Sequence, residues 1–440
     1  MNLERRSLLR RIVIFLFLSL LALIMYGLAV WSWNSSAELS AYDMILRMRF
    51  KAPPRPDVVV LAIDSKTIDE LGPLPWDYKK HARIIRALTK VGASRIVYDF
   101  LFDRPDSLHP GADTALWEAV RSAENVFLPM AYDPLRETEW TPSDVRALII
   151  LERFAISRRI EYPVDSPMFS YYFFIPPVAN LMTAAEGIGG MVGTPSSGVV
   201  REAQLAYLTT VKYPIPTQPL PQTTPLPKLT DQVVALPGLP LAVSAKILGV
   251  DKDQIIVDLT GSIDLIANQS LVAEIPIDEQ GRMLINYVGP AGTIPRYSAS
   301  DLLSGKLDRS LFAGKLVLVG VTDSSSLYAG VLLTPYGQMP RVEVTANALT
   351  TILDKSFLVR RKLEALAVLL ILGILLGLLL PSFSESQLSY FAIVAPLVYI
   401  LVAMIVLATL KHVLPIIPSI LLILFGSVIA GLLYPAGSTE

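Results

Sequence analysis

Apolar residues are distributed along this chain in two ways. Long charge-free runs lie at the two ends, and short runs alternate with helix-spaced residues between them. Residues 12–33 carry no charge and follow Arg5, Arg6, Arg10 and Arg11. Three further runs, 363–380, 388–410 and 413–434, close the sequence, the first borrowing Leu363 and Glu364 at its edge. Each is near the ~20 residues that cross a bilayer core. Trp31, Trp33, Tyr390 and Tyr434 stand near run ends, where amphipathic rings favour the headgroup region. The pattern predicts one transmembrane helix, a large polar domain over 34–360, and three closing transmembrane helices.

Within the polar domain the periods alternate. Residues 57–63 and 95–102 are continuous apolar runs, as expected of strands buried on both faces. Between them His81, Ile84, Ile85, Leu88 and Val91 recur at helical spacing, and Gly92 is placed as the helix stop. A second helix is predicted over 113–123 and a strand over 126–131. Strand, helix, strand, helix, strand implies an α/β domain with a mainly parallel, right-handed sheet. Further on, the pattern predicts a helix at 241–248, β segments in 254–274, strands at 283–288 and 315–321, and a helix at 342–353 running towards the second apolar run. Residues 133–180 have weak periodicity and read as an insertion over the sheet. The proline-dense segment 213–240 reads as a loop or polyproline strap.

Composition sharpens this plan. A hydrophobic fraction of 52% and a mean hydropathy of +0.49 exceed what a water-soluble domain carries, so the lipid bilayer is an expected partner. The arginines before residue 12 hold 1–11 in the cytoplasm, which sends 34–360 to the far side and returns 435–440 as a short cytoplasmic tail. Arg360, Arg361 and Lys362 oppose this orientation, but the N-terminal cluster dominates and long domains translocate largely regardless of charge. The absence of cysteine excludes a disulfide scaffold and thiolate catalysis. A net charge of −1 without a basic patch excludes a nucleic-acid surface.

Several segments carry a family resemblance. "AIDSKTIDELGPLPWDYKKHARIIRAL" with "GASRIVYDFLFDRPD", then "EGIGGMVGTPSSGVVREAQL", then "GRMLINYVGP", "YSASDLLSG", "GKLVLVGVTDSS", "LLTPYG" and "VEVTANALTTIL", resemble in order the parts of a CHASE domain of type 2. That is an extracytoplasmic sensory domain of bacterial receptors. The resemblance covers about 50–360 and implies one membrane span before the domain and three after it. It departs from the family pattern at Ser65, where a second acidic residue is usual, and near Thr345, where a histidine is usual. Members commonly continue into an output domain after the last span, whereas this sequence stops at "YPAGSTE", so output is expected from a separate partner.

Candidate chemistry centres on acids at strand ends. Asp64 and Asp99 fall at the carboxyl ends of what should be neighbouring parallel strands, the edge where α/β folds place ligands. A carboxylate pair there could hold a cation, orient a water, or simply cap the next helix. If the two converge, a cation or a donor such as Arg201 must offset their repulsion. Asp323 follows a later strand and could join the same edge. Trp76 in "LPW" fits an aromatic pocket wall, or equally a core residue beside a helix start. Gly198 and Arg201 fit a turn with an ion pair, or an anion contact. The candidate ligand-binding residues are therefore Asp64, Trp76, Asp99, Arg201 and Asp323. His81 reads as packed or hydrogen-bonded, while His109 and His412 are too distant in sequence to suggest a metal triad, and the metal remains unassigned. No nucleophile elbow, Walker loop, HExxH or dinucleotide fingerprint stands at a strand end, so no catalytic residue and no cofactor is assigned. Charge is nearly absent from the apolar runs, which disfavours a transporter. Gly373, Gly377 and Gly426 could admit a close helix neighbour from this chain or another. The expectation is an extracytoplasmic sensor or ligand-binding protein, not an enzyme. It would recognise a small ligand or an extracytoplasmic protein, and act as a homo-oligomer or through a separate membrane partner. The alternative is a structural component of an envelope or surface-appendage complex.

Overall fold

The computed structural model describes residues 3–32, 35–49, 53–133, 150–156, 160–161, 173–193, 198–211 and 232–433. The chain divides into a helical unit, Met1–Lys51 with Leu358–Glu440, and an α/β unit, Ala52–Phe357. In chain order the helices are α1 (Leu3–Ser32), α2 (Ser36–Met48), α3 (Ser65–Leu71), α4 (Tyr78–Val91), α5 (Ala112–Ala123), α6 (Ala179–Ala184), α7 (Leu239–Ile247), α8 (Ala299–Leu303), α9 (Arg341–Leu353), α10 (Lys362–Leu379), α11 (Glu385–Thr409) and α12 (Ile417–Leu433).

The α/β unit is built on a seven-stranded sheet: β1 (Val58–Ile63), β2 (Arg95–Tyr98), β3 (Val126–Asp133), β4 (Phe173–Ile175), β5 (Gly187–Gly190), β6 (Arg296–Ser298) and β7 (Leu316–Val321). Its order is β6-β1-β7-β2-β3-β4, with β5 also paired to β3. All pairings are parallel except β3 with β4. Both faces are covered, which is why β1 and β7 are buried at every position. Val59, Leu61, Val317 and Val319 pack with α4 and α5 residues such as Ile84, Leu88 and Leu116. Val58, Val60, Leu316 and Leu318 pack on the other face with Leu239 and Val243 of α7 and Val342, Ala346 and Leu349 of α9.

The expected elements α4, α5, β1, β3 and β7 form within three residues of their expected limits, and Gly92 closes α4 in the left-handed region at φ 82°. Four expectations are corrected. The strand expected over 95–102 ends at Tyr98, because Phe100 and Phe102 turn into an aromatic cluster with His81. The strand expected over 283–288 stops at Leu284. Beyond it the N–H groups of Asn286 and Val288 donate to the α9 side chains Thr351 Oγ1 (3.0 Å) and Asn347 Oδ1 (2.9 Å) instead of to a ladder. Within 213–240, residues 232–237 form a strand antiparallel to Ala206–Val211, and residues 213–231 lie outside the described residues. Of the insertion expected over 133–180, Phe173–Ile175 joins the sheet edge, and much of the remainder lies outside the described residues. The β segments expected in 254–274 form an antiparallel meander of Ile255–Asp258, Ser262–Ala267 and Ser270–Pro276.

In the helical unit α1 lies along α10. A Cβ on Gly373 would stand 2.8 Å from Ala22 Cβ, and one on Gly377 3.1 Å from Phe15 Cα. These two glycines, four residues apart, are therefore occupied by a helix of the same chain. Among the described residues three helices are long and apolar enough to cross a membrane, within Arg11–Val30, Lys362–Ser382 and Glu385–Thr409. The run expected over 413–434 forms a shorter apolar helix of 17 residues, α12. Helix α2, which hydropathy did not reveal, begins at the Ser35 cap and buries Tyr42, Ile45 and Leu46. Its Glu38 carboxylate accepts the N–H groups of Ile416 and Ile417, each at 2.8 Å, and so caps α12. The residues expected to form a tail, 435–440, lie outside the described residues.

The contact of α9 with the sheet yields a direct test. A Cβ on Gly320 would stand 2.6 Å from Val342 Cβ. Gly320→Ala should therefore cost about 1–3 kcal/mol, seen as a lower thermal denaturation midpoint of the full chain. An unchanged midpoint would mean that α9 does not press on β7.

Candidate ligand-binding site

The carboxyl edge of the sheet comes first, because the predicted acids lie there. Asp64 ends β1 and caps α3: its Oδ1 accepts from Thr67 N (2.9 Å), Thr67 Oγ1 (2.6 Å) and Ser298 Oγ (2.9 Å). The capping alternative is therefore the one realised. Asp323 follows β7, and its Oδ1 accepts from Ser325 N (3.0 Å) and Oγ (2.7 Å), holding a turn. Asp99 follows β2 and is 5% exposed. Strand β7 stands between β1 and β2, so Asp64 and Asp99 are not on neighbouring strands, contrary to the expectation.

Asp99 is answered by Arg341, not by Arg201. The Arg341 Nε lies 3.1 Å from both carboxylate oxygens, with the side chains only 19% and 4% exposed. Burial pushes the Asp99 carboxyl above its ordinary range, and the guanidinium opposes that shift. Arg341 is the first residue of α9. A cation in a first helical turn is disfavoured by the macrodipole, so its position signals a specific partner that sequence reading passed over. Gly330, at φ 53°, makes room for it, since a Cβ there would stand 2.7 Å from Arg341 Nη1. Two residues along, Glu343 is 1% exposed and accepts from Gly292 N (2.6 Å) and Arg296 Nη1 (3.1 Å). Arg201 leads into the strand Glu202–Gln204, and its carbonyl accepts from Ile285 N.

Trp76 is core, not pocket wall. It is 5% exposed, its Nε1 donates to Gly72 O at 2.7 Å, and it packs against His81. His81 is itself buried, with Nδ1 2.9 Å from the Tyr98 hydroxyl and the rings of Phe100 and Phe102 beside it. Burial lowers its pKa to about 3, so it is neutral near pH 7. Among the described residues no group of three His, Asp or Glu could hold a metal ion.

A half-open cavity of about 360 Å³ opens at the other edge of the sheet. It is lined at the amino ends of β3 and β5 by Phe127, Glu186 and Gly187, and by α7 through Ala242, Ala245 and Lys246. Phe154, Ile156, Met182 and Ile255 supply apolar wall, and Arg153, Asp251 and Lys252 are charged residues in the lining. Glu186 lies 3.0 Å from Arg95, and burial raises its pKa against the pull of Arg95 and Lys246. None of the five predicted site residues lines this cavity. Its walls come from segments far apart in sequence, so no local motif could have marked it.

A family model described as the CHASE2 domain matches residues 15–380. No curated protein and no solved structure matches the chain.

Two measurements test the buried groups. Asp99→Ala leaves Arg341 without its carboxylate and should cost about 3–5 kcal/mol, most of it recovered in Asp99→Leu with Arg341→Met. Wild-type stability in the single variant would contradict the ion pair. For His81 the unfolded chain takes up a proton near pH 6.5, whereas the folded chain refuses it until about pH 3. This contribution to stability is therefore present above the unfolded value and falls as pH drops between those limits, by at most about 1.4 kcal/mol per pH unit. His81→Gln should flatten that part of the pH profile, and an undiminished slope would contradict the buried neutral imidazole.

Proposed function

The chain belongs to the CHASE2 domain family, an extracytoplasmic sensory domain, and from that premise we propose that it is a membrane-anchored extracytoplasmic sensor that binds a small ligand. The observation that carries the ligand-binding part is the 360 Å³ cavity of the α/β unit, within the size range of small-molecule sites. Binding shifts the unit between two arrangements. The chain passes from α9 into α10 through residues 354–361, so movement of α9 has a short covalent route to the membrane helices. Output passes to a partner protein, and the chain itself binds rather than catalyses.

The membrane arrangement belongs to the same proposal. Helix α12, with 17 residues, rises about 26 Å, a few ångström less than the hydrocarbon core. Local thinning absorbs that mismatch, and α12 serves as the fourth crossing. Four crossings put both termini on the cytoplasmic side and the α/β unit outside.

A second reading, assembly into an envelope complex, is favoured by one observation. Leu327 is 97% exposed and Leu333 48% exposed in the α/β unit, and exposed apolar side chains in one short stretch of chain suit a protein partner.

Reporter fusions check the location on which the proposal depends. Reporters after Asp106 and after Pro240 should report the external compartment, and reporters after Ser384 and Glu440 the cytoplasm. A cytoplasmic report from either of the first two positions would remove the sensor reading.

A further inference from the structure

The chemistry of the cavity narrows what it can hold. Arg153, Lys246 and Lys252 bring three cations to its lining, and Glu186 and Asp251 bring two carboxylates. Glu186 lies 3.0 Å from Arg95, outside the lining, and also feels Lys246, so with three cations against two carboxylates the rim carries a surplus of positive charge. Lys252 Nζ donates to Arg153 O at 3.0 Å, fastening two parts of the rim to each other. The end of α7 does not cancel this field with open carbonyls. The N–H groups of Leu248, Gly249 and Val250 return to the carbonyls of Ser244, Lys246 and Ala245.

The apolar wall is as informative as the rim. Phe127, Phe154, Met182 and Ile255 offer no donors or acceptors from their side chains, so a sugar or another many-hydroxyl compound would lose hydrogen bonds on entering. A metal cation meets the wrong sign of charge. The volume stands near the lower end for ligand sites, which suits a body of about one ring or a short branched chain.

We propose that this cavity binds a small organic anion: a carboxylate held by the Arg153, Lys246 and Lys252 rim, with an apolar body against Phe127, Phe154 and Met182. The assignment rests on the sensor reading and names the ligand class of the same site. It also places recognition at the amino edge of the sheet, away from the acids that the sequence pointed to.

The absence of cysteine from the natural sequence provides the test. Thr183→Cys puts a single thiol in the cavity lining, and Leu108→Cys puts one on open surface, where Leu108 is 83% exposed. Each full-length variant in lipid nanodiscs is treated with anionic sulfonatoethyl methanethiosulfonate and with cationic trimethylammonioethyl methanethiosulfonate. The anionic-to-cationic rate ratio should be roughly tenfold higher at position 183 than at 108. It should collapse in Lys246→Gln with Lys252→Gln, two exposed lysines. Millimolar phenylacetate should slow the reaction at 183, whereas phenylacetamide, of the same shape without the charge, should not. Ala242→Leu, which narrows the cavity, should abolish the protection by phenylacetate. Equal ratios at the two positions, a ratio insensitive to the lysines, or equal protection by the amide would each overturn the anion assignment. The same thiol at 183 in intact cells separates charge preference from location. Protection from both reagents until the cells are opened would overturn the extracytoplasmic reading, whatever charge preference the purified protein shows.

Discussion

The α/β unit depends on one constraint: the gap between β1 and β2 is filled by β7, a strand made much later in the chain. Val58–Ile63 pairs along its whole length with Leu316–Val321, which pairs in turn with Arg95–Tyr98. The parallel sheet therefore cannot close from the N-terminal half alone. Its central pairing must wait for a long-range contact whose loop-closure cost comes first. Helix α9, the next helix in the chain, secures the strand. Val342 of α9 packs where Gly320 has no side chain, and Arg341 reaches Asp99 across the strand ends. Glu343 ties the same helical turn to Gly292 and Arg296, the latter in β6. One turn of α9 thus touches the ends of three strands.

That closure occupies the acids to which the sequence pointed. The carboxyl edge, the usual ligand edge of open α/β sheets, is taken up by the Asp64 cap, the Asp323 turn and the Asp99–Arg341 pair. A buried pair of this kind adds little net stability over an apolar core, but it is costly to break from one side. A cavity opens at the amino ends of β3 and β5, beside Ala242, Ala245 and Lys246 of α7.

Local order was legible in the sequence, and neighbourhood was not. The helix spacing of His81 to Val91, the Gly92 stop and the apolar runs of β1, β3 and β7 each express a local rule, and each element formed. The adjacency of β1 and β2 was an inference from chain order, and β7 overrode it. The segment 283–288 has the composition of a strand, but its backbone donors found Asn347 and Thr351 on α9 instead. Of the five predicted site residues, Asp64 caps α3, Asp323 holds a turn, Trp76 is core and Asp99 is paired. Arg201 precedes the strand Glu202–Gln204. Arg341 and the cavity walls were missed because they acquire meaning only once distant segments meet. In the helical unit the glycines at 373 and 377 were legible as close-approach positions, but α1 was their partner. Glu38 could not have been read as the cap of α12, because that contact spans nearly the whole chain.

If β7 is the keystone of the sheet, its backbone should open only when the whole α/β unit unfolds. Hydrogen–deuterium exchange on the full-length protein in lipid nanodiscs measures this directly. Amides of Leu316–Val321 should exchange as slowly as those of Val58–Ile63, and both should accelerate together in Gly320→Ala. Rapid exchange in Leu316–Val321 while Val58–Ile63 stays protected would contradict the keystone role.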